Sequence, residues 1–174
     1  MLIFMYKLAV VGTSLAVLML GTSACGTSDR AAPAAPSAMA TTPATPVPVV
    51  REVLDNDTTP PGAPGSTLSL VRYTIAPGAK LAPHVHPGVQ MASIESGTLT
   101  YTVISGVAHV RRAGASTDTP AAGPVMIQLG RGDAVTEVGD MVHFGENKTK
   151  EPVVILATLL TRHGHQLAEP VNSH

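Results

Sequence analysis

Residues 78–97, which read GAKLAPHVHPGVQMASIESG, decide the fold. His84 and His86 stand two residues apart in this stretch, so in an extended chain both imidazoles project from the same face. Two imidazoles on one face can hold a metal ion between them. Gln90 follows four residues after His86. The stretch therefore predicts an extended segment with metal-binding side chains.

A second stretch, residues 132–147, reads GDAVTEVGDMVHFGEN. Together the two stretches resemble the two motifs of the cupin superfamily, G(X)5HXH(X)3,4E(X)6G and G(X)5PXG(X)2H(X)3N. The matching residues are Gly78, His84, His86, Gln90 and Gly97 in the first motif, and Gly132, His143 and Asn147 in the second. The departures are Gln90 in the position of Glu, Val138 in that of Pro and Asp140 in that of the second Gly. The resemblance covers about residues 67–162 and implies a small single-domain cupin.

The resemblance implies one metal site with the ligands His84, His86, Gln90 and His143, which converge from separate strands inside a barrel. Three neutral imidazoles suit one divalent transition metal, whether Zn, Mn, Fe, Cu or Ni, and the metal identity stays open. Gln90 either binds the metal through its carbonyl oxygen, a weaker donor than a carboxylate, or lies outside the metal's ligands and orients water or substrate. A metal-free barrel with histidines lining its cavity is a third alternative.

Short runs rich in apolar and β-branched residues follow one another through the second half of the chain, with glycine-containing turns between them. The runs are residues 67–75, 89–95, 98–104, 107–111, 125–129, 134–138 and 153–161. Strands at this spacing predict an antiparallel sandwich or barrel. Residues 113–124 are expected to form a mobile loop, and residues 49–54 either a first strand or a collar around the barrel.

The predicted fold class is all-β, with a single antiparallel cupin-type barrel that resembles a jelly roll. Its predicted domain spans residues 49–165, and residues 166–174 are predicted to be a C-terminal tail. Cupins often dimerise through edge strands, and a small barrel exposes such edges, so a homodimer is a reasonable expectation.

The N-terminal 25 residues have the pattern of an export signal. Lys7 precedes the apolar residues 8–20, a run shorter than the roughly 20 residues that a spanning helix needs. The run ends at Cys25 in a sequence that resembles a bacterial lipobox, in which the cysteine thiol accepts diacylglycerol, although Thr22 stands where Leu is usual. Residues 1–25 are thus predicted to be a lipoprotein signal peptide, and cleavage that leaves Cys25 unmodified is the alternative. Translation starts at either Met1 or Met5.

Residues 26–48 consist mainly of Ala, Pro, Thr and Ser. Such a composition buries too little apolar surface to offset the entropy lost on ordering, so this segment is predicted to be a disordered linker. The protein is expected outside the cytoplasm, where the lipid anchors it to the bacterial cell membrane, or secreted or periplasmic if Cys25 is not lipidated. Cys25 is the only cysteine, so no intramolecular disulfide can form.

The charge composition excludes a nucleic-acid partner, since only 13% of residues are charged and the net charge is -1. We expect a metal-binding cupin-domain lipoprotein that binds a small molecule, with its activity unassigned. The alternatives are a metal-dependent oxygenase of the dioxygenase type or an isomerase, and a metal-free ligand-binding or sensor barrel. No catalytic residue is identified: Glu95 lies five residues after Gln90, so in a regular strand the two side chains face opposite sides.

Overall fold

The computed structural model describes residues 48–171. The predicted signal peptide, Cys25 and nearly all of the predicted linker lie outside the described residues. The described part consists of β-strands, turns and bends. The strands are β1 Val49–Asp57, β2 Ser66–Ile75, β3 His84–Val85, β4 Gly88–Ser96, β5 Thr98–Ser105, β6 Val107–Arg111, β7 Thr119–Ala122, β8 Val125–Gly130, β9 Ala134–Val138, β10 Val142–Glu146, β11 Val153–Arg162 and β12 Glu169–Pro170.

The strands form two antiparallel sheets. The larger has the order β1-β2-β11-β4-β9-β6-β7, and the smaller has the order β12-β3-β10-β5-β8. This arrangement confirms the predicted all-β fold, a single antiparallel barrel of the cupin type. Within residues 48–171 no helix has the length and apolar character needed to cross a membrane. The predicted homodimer stays a prediction.

The hydrophobic core is built from alternate residues of the strands, because successive side chains in a strand point to opposite faces. In β4 the buried positions are Gln90, Ala92 and Ile94, while Glu95 is exposed. In β9 the buried positions are Val135 and Glu137. Both β4 and β9 therefore place apolar side chains and one polar side chain on the same inner face.

The seven predicted strands are confirmed, with every boundary within one residue of the structure. The segment 49–54 belongs to β1, which pairs with β2, so it is a strand. The predicted mobile loop at 113–124 is wrong in part, because its second half contains β7, which pairs with β6 at the edge of the larger sheet. Pro120 argued against a strand here, because proline cannot donate a ladder hydrogen bond. An edge strand such as β7 tolerates a proline.

The structured region also extends beyond His165, because β12 pairs with β3. Two pairings then position the candidate site. His143 of β10 lies opposite His84 of β3 in the smaller sheet. Gln90 of β4 lies opposite Glu137 of β9 in the larger sheet.

Candidate metal centre

Three buried histidines meet inside the barrel. His84 lies in β3, His86 directly follows it, and His143 lies in β10. Their ring centroids are 4.4 to 5.2 Å apart. One ring nitrogen from each histidine can be chosen so that all three lie within 4.8 Å of one another. These three side chains could therefore hold a metal ion.

Backbone carbonyls fix the orientation of the three imidazoles. The Nδ1 contacts are with the carbonyl of Ala82 for His84 at 2.8 Å, of Leu167 for His86 at 2.6 Å and of Met141 for His143 at 3.3 Å. A carbonyl oxygen only accepts hydrogen bonds, so each Nδ1 carries the proton and donates. In its neutral form each imidazole then has its lone pair on Nε2, the arrangement in which histidine binds metals.

Glu137 is a buried carboxylate beside the histidines that the sequence analysis did not identify. Its side chain is 4% exposed, and Oε2 lies 3.1 Å from Nε2 of His86 and 3.3 Å from Nε2 of His143. One signal in the sequence could have found it. Glu137 stands two residues after Val135, so a strand that buries Val135 points Glu137 inward as well.

Gln90 is also buried, and its contact is with Glu137. The amide Nε2 donates a hydrogen bond to Oε2 of Glu137, with 2.5 Å between the two atoms. A carboxylate oxygen can only accept, so the amide must turn its nitrogen toward it. The carbonyl Oε1 of Gln90 is buried and has no hydrogen-bond partner in the described part of the chain. A direct bond from Gln90 to metal stays a prediction.

Burial and the close carboxylate set the protonation of the site. Burial would raise the pKa of Glu137, but the neighbouring imidazoles of His143 and His86 outweigh it and hold that pKa far below its usual range. Burial lowers the pKa of His86, yet Glu137 beside it raises the pKa above the ordinary value. Burial lowers the pKa of His84 to about 4, so this imidazole is neutral at pH 7.

The histidines face a cavity of about 450 Å³ that both sheets line. Its apolar walls include Ile75, Leu81, Ile94, Leu99, Val135 and Ile155. Arg51, Tyr73 and Tyr101 add polar groups to the lining. The hydroxyl of Tyr101 is buried without a hydrogen-bond partner among the described residues, and the Tyr101 ring lies 5.6 Å from that of His143.

The residues fit a bound metal by the chemistry of their donors. Three neutral imidazoles with inward lone pairs are ligands that Zn, Cu, Fe, Ni and Mn accept. Nε2 of His86 is buried and, within residues 48–171, has no aligned hydrogen-bond donor, although buried polar atoms are normally paired. A cation between the imidazoles would satisfy this atom.

The other acidic residues near the two motifs do not reach the cavity. Glu95 lies on the outer face of β4, opposite in direction to Gln90 as their spacing predicts, and Arg72 approaches it to 3.2 Å. Glu146 pairs with Lys148 at 3.4 Å. Glu137 is thus the acidic residue that lines the cavity.

Comparison with known proteins gives matches in three-dimensional structure alone. No family model and no curated protein matches the chain. The cupin 2 domain of an XRE family transcriptional regulator from Enterobacter cloacae is similar at 16% identity and TM-score 0.45, over 66% of this chain and 97% of that domain. An oxalate oxidase in complex with glycolate matches at 20% identity and TM-score 0.47. That match covers 68% of this chain and 53% of the oxidase.

An oxalate decarboxylase from Lactobacillus farciminis, in complex with formate, is a more distant match. It shares 17% identity and a TM-score of 0.42 over 60% of this chain. The chain therefore spans about half the length of the oxidase and 26% of the length of this decarboxylase. The cupin-type fold of the described residues rests on their own sheets and on the two motifs.

Proposed function

We propose that this chain is a metal-binding cupin-fold protein that takes a small molecule into its barrel. His84, His86 and His143 hold one divalent transition metal. The observation that carries this proposal is the commitment of all three Nδ1 atoms to backbone carbonyls, which leaves three Nε2 lone pairs for a cation. When bound, such a metal acts as a Lewis acid, or activates dioxygen if it is iron or copper.

The ligand that suits the cavity is a small organic anion with an apolar body. A volume of about 450 Å³ lies in the range of small-molecule sites, and apolar side chains form most of its walls. Arg51 adds a positive charge to the lining and has no ion-pair partner within residues 48–171. A guanidinium without an internal partner is free to pair with the carboxylate of a ligand.

Tyr101 would contribute a proton donor to a bound ligand. Burial, with the negative charge of Glu137 nearby, raises the pKa of Tyr101 far above its ordinary value, so the phenol keeps its proton at neutral pH. Its hydroxyl makes no aligned hydrogen bond among the described residues, although Glu137 is close enough to raise its pKa, and it can donate to an oxygen atom of the ligand.

A metal-dependent enzyme, an oxygenase or an isomerase, is the second candidate function. The observation in its favour is that Tyr101, which keeps its proton at neutral pH, lines the same cavity as the three histidines, so a proton donor lies beside the candidate metal centre. General acid catalysis needs such a donor within reach of the substrate. Oxygen consumption by the iron-loaded or copper-loaded protein, with small phenols, diketones and thiols as substrates, tests this function.

The test of metal binding is a measurement of metal content. The full chain is expressed through the secretory route, purified without an affinity tag or chelator, and analysed by elemental mass spectrometry. We expect about one divalent ion per chain, because the three-histidine site accommodates one. A protein that contains no metal, even after incubation with Zn²⁺, Mn²⁺, Fe²⁺, Cu²⁺ and Ni²⁺, would contradict the proposal and leave a metal-free ligand-binding barrel.

We also propose that the protein is exported and anchored to the membrane through Cys25. The apolar run at residues 8–20, followed by small residues and Cys25, supports this location. Membrane fractions of the expressing bacterium should contain the protein, and mass spectrometry of its N-terminal peptide should show diacylglycerol. The Cys25→Ser variant should be released from the membrane, and a wild-type protein with an unmodified thiol would contradict the anchor.

A further inference from the structure

We propose that Glu137 is the fourth protein ligand of the metal centre and that Gln90 positions it. This inference rests on the proposed metal-binding function and deepens it. The first motif lacks its carboxylate, because Gln90 occupies that position. A carboxylate nevertheless reaches the histidines, from the neighbouring strand.

The pairing of β4 with β9 explains why a carboxylate on either strand can reach the histidines. β4 and β9 are adjacent, and Gln90 and Glu137 are directly paired across them. Adjacent strands lie about 4.8 Å apart, and paired residues point to the same face of the sheet. A side chain at either position therefore enters the same part of the cavity. A carboxylate at position 137 therefore starts only one inter-strand spacing away from a carboxylate at position 90.

The spacing of Glu137 from His86 and His143 suits neighbouring ligands of one metal ion. With metal-ligand distances of about 2.1 Å, neighbouring donors lie about 3.0 Å apart in an octahedron and about 3.4 Å apart in a tetrahedron. Oε2 of Glu137 lies 3.1 Å from Nε2 of His86 and 3.3 Å from Nε2 of His143. Both distances fall between these two values.

The electrostatics of these contacts calls for a positive charge. Where Nδ1 carries the only proton of an imidazole, its Nε2 is an acceptor, and the carboxylate oxygen that faces it is also an acceptor. Such acceptors repel one another at this distance unless a cation or a proton lies between them. A divalent metal among Oε2 and the Nε2 atoms turns the repulsions into ligand bonds, and the carboxylate lowers the net charge of the centre from +2 to +1.

Gln90 has a defined part in this arrangement. Its amide donates to the same Oε2 atom that faces His86 and His143, so it holds the carboxylate in the direction of the histidines. A glutamate at position 90 beside Glu137 would place two buried negative charges in contact, which is costly. The amide at position 90 is therefore the chemical counterpart of a carboxylate at position 137. Hydrogen-bond partners of metal ligands tune affinity in this way.

The test compares variants of the full chain in Co²⁺ binding, followed by the visible absorption of the bound ion and by competition with a chelator. Glu137→Gln should weaken Co²⁺ binding by about tenfold or more and change the absorption spectrum, because one ligand is lost. The exchange variant Gln90→Glu/Glu137→Gln should recover most of the affinity, since it returns the carboxylate from the other strand. Glu95→Gln, which removes a carboxylate from the outer face of β4, is the matched control and should bind as wild type does.

The outcomes separate this inference from the proposed function. Wild-type protein that binds no metal would refute the metal centre itself. Wild-type protein that binds Co²⁺, together with a Glu137→Gln variant of unchanged affinity and spectrum, would refute only the role of Glu137. If Glu137→Gln does not fold by circular dichroism, Glu137→Asp replaces it. Aspartate keeps the charge but withdraws it by one methylene, so a direct ligand predicts weaker binding and an altered spectrum, and wild-type values would overturn the inference.

Discussion

The two motif segments, residues 78–97 and 132–147, contribute to the molecule in different ways. The first supplies two histidines, His84 and His86, and the amide of Gln90 to the cavity. The second supplies His143 and Glu137 to the cavity, but it also carries two polar side chains, Asp133 and Asn147, that bind backbone on other elements. The buried polar side chains of the first segment therefore line the cavity, whereas the second segment combines such side chains with two that bind backbone elsewhere in the fold.

Asn147 shows the structural part of the second segment. Its side chain is 0% exposed, and Nδ2 donates to the carbonyl of Ile75 at 2.9 Å and of Glu151 at 2.8 Å. Its Oδ1 accepts from the amide of Thr149 at 3.0 Å and from the hydroxyl of the same residue at 2.7 Å. One side chain thus joins the end of β2 to the turn that precedes β11.

Asp133 performs a similar task at the start of the segment. Its carboxylate accepts from the backbone amides of Gly130 at 3.0 Å and Ala113 at 2.9 Å, and from the guanidinium of Arg112 at 2.7 Å. These contacts tie the turn before β9 to the chain that follows β6. Burial would raise the pKa of Asp133, but the two amides and Arg112 together lower it.

The comparison predicts its largest effect for the variant His84→Ala/His86→Ala. Two of three imidazole ligands are lost, so we expect nearly complete loss of bound metal and of the metal-dependent part of thermal stability. The fold should persist, because neither side chain forms the core of the barrel. Metal analysis and thermal melting with and without added Zn²⁺ measure both effects. A variant whose melting temperature still rises with Zn²⁺ as that of wild type does would contradict the role of these histidines as ligands.

Asn147→Ala should instead lower the stability of the fold and leave metal binding unchanged. It leaves buried carbonyl and amide groups without partners, at about 1 to 3 kcal/mol for each unsatisfied group, so we expect unfolding to become easier by about 3 kcal/mol. The folded fraction should keep its metal, because Asn147 does not line the cavity. Urea denaturation measures the loss, and Asn56→Ala, at an exposed position of β1, is the control with little expected effect. A loss of metal without a loss of stability would contradict the structural role of Asn147.

Asp133→Asn should lower the free energy of unfolding by less, about 2 kcal/mol at pH 7. The amide keeps one acceptor oxygen but loses the charge-assisted bonds. The depressed pKa also predicts a pH dependence. The carboxylate stabilises the wild-type protein fully above the unfolded-state pKa of about 3.9, and this contribution is lost as the pH falls through the lower folded-state pKa. The difference between wild type and variant should therefore shrink in acid. Denaturation at pH 7 and pH 3 checks this sign, and a difference that grows in acid would contradict it.

The sequence predicted the strands well where apolar periodicity and glycine turns coincide, as in β6 and β9. It missed β3 and β12, which have two residues each and no period to read. It also missed β7, which contains a proline, and β10, the five-residue strand that carries His143. The histidines were found because both motifs keep their spacing. Glu137 was not found, because its importance depends on β9 lying beside β4, and the two strands are far apart in the sequence. Pairing between distant strands is set by the whole sheet and leaves no local pattern.

The smallest effect is expected outside both segments, at Arg51 of β1. This residue lines the cavity without being near either motif in sequence, so it tests whether ligand recognition depends on a third region. Benzoate, with an apolar ring and one carboxylate, is a suitable probe for the metal-loaded full chain. Arg51→Gln should weaken benzoate binding about threefold to tenfold and leave metal content unchanged, because an ion pair at a partly exposed site contributes about 1 kcal/mol.

The matched control for Arg51→Gln is Arg162→Gln, which removes the same charge from the end of β11. Calorimetric titration of both variants separates a local contact from general charge attraction. Equal weakening in the two variants would mean that net charge alone attracts the anion. Unchanged binding in Arg51→Gln would remove the anion from the proposal while leaving the metal centre intact. Weakening confined to Arg51→Gln would show that β1, a region outside both motif segments, contributes to recognition of the ligand.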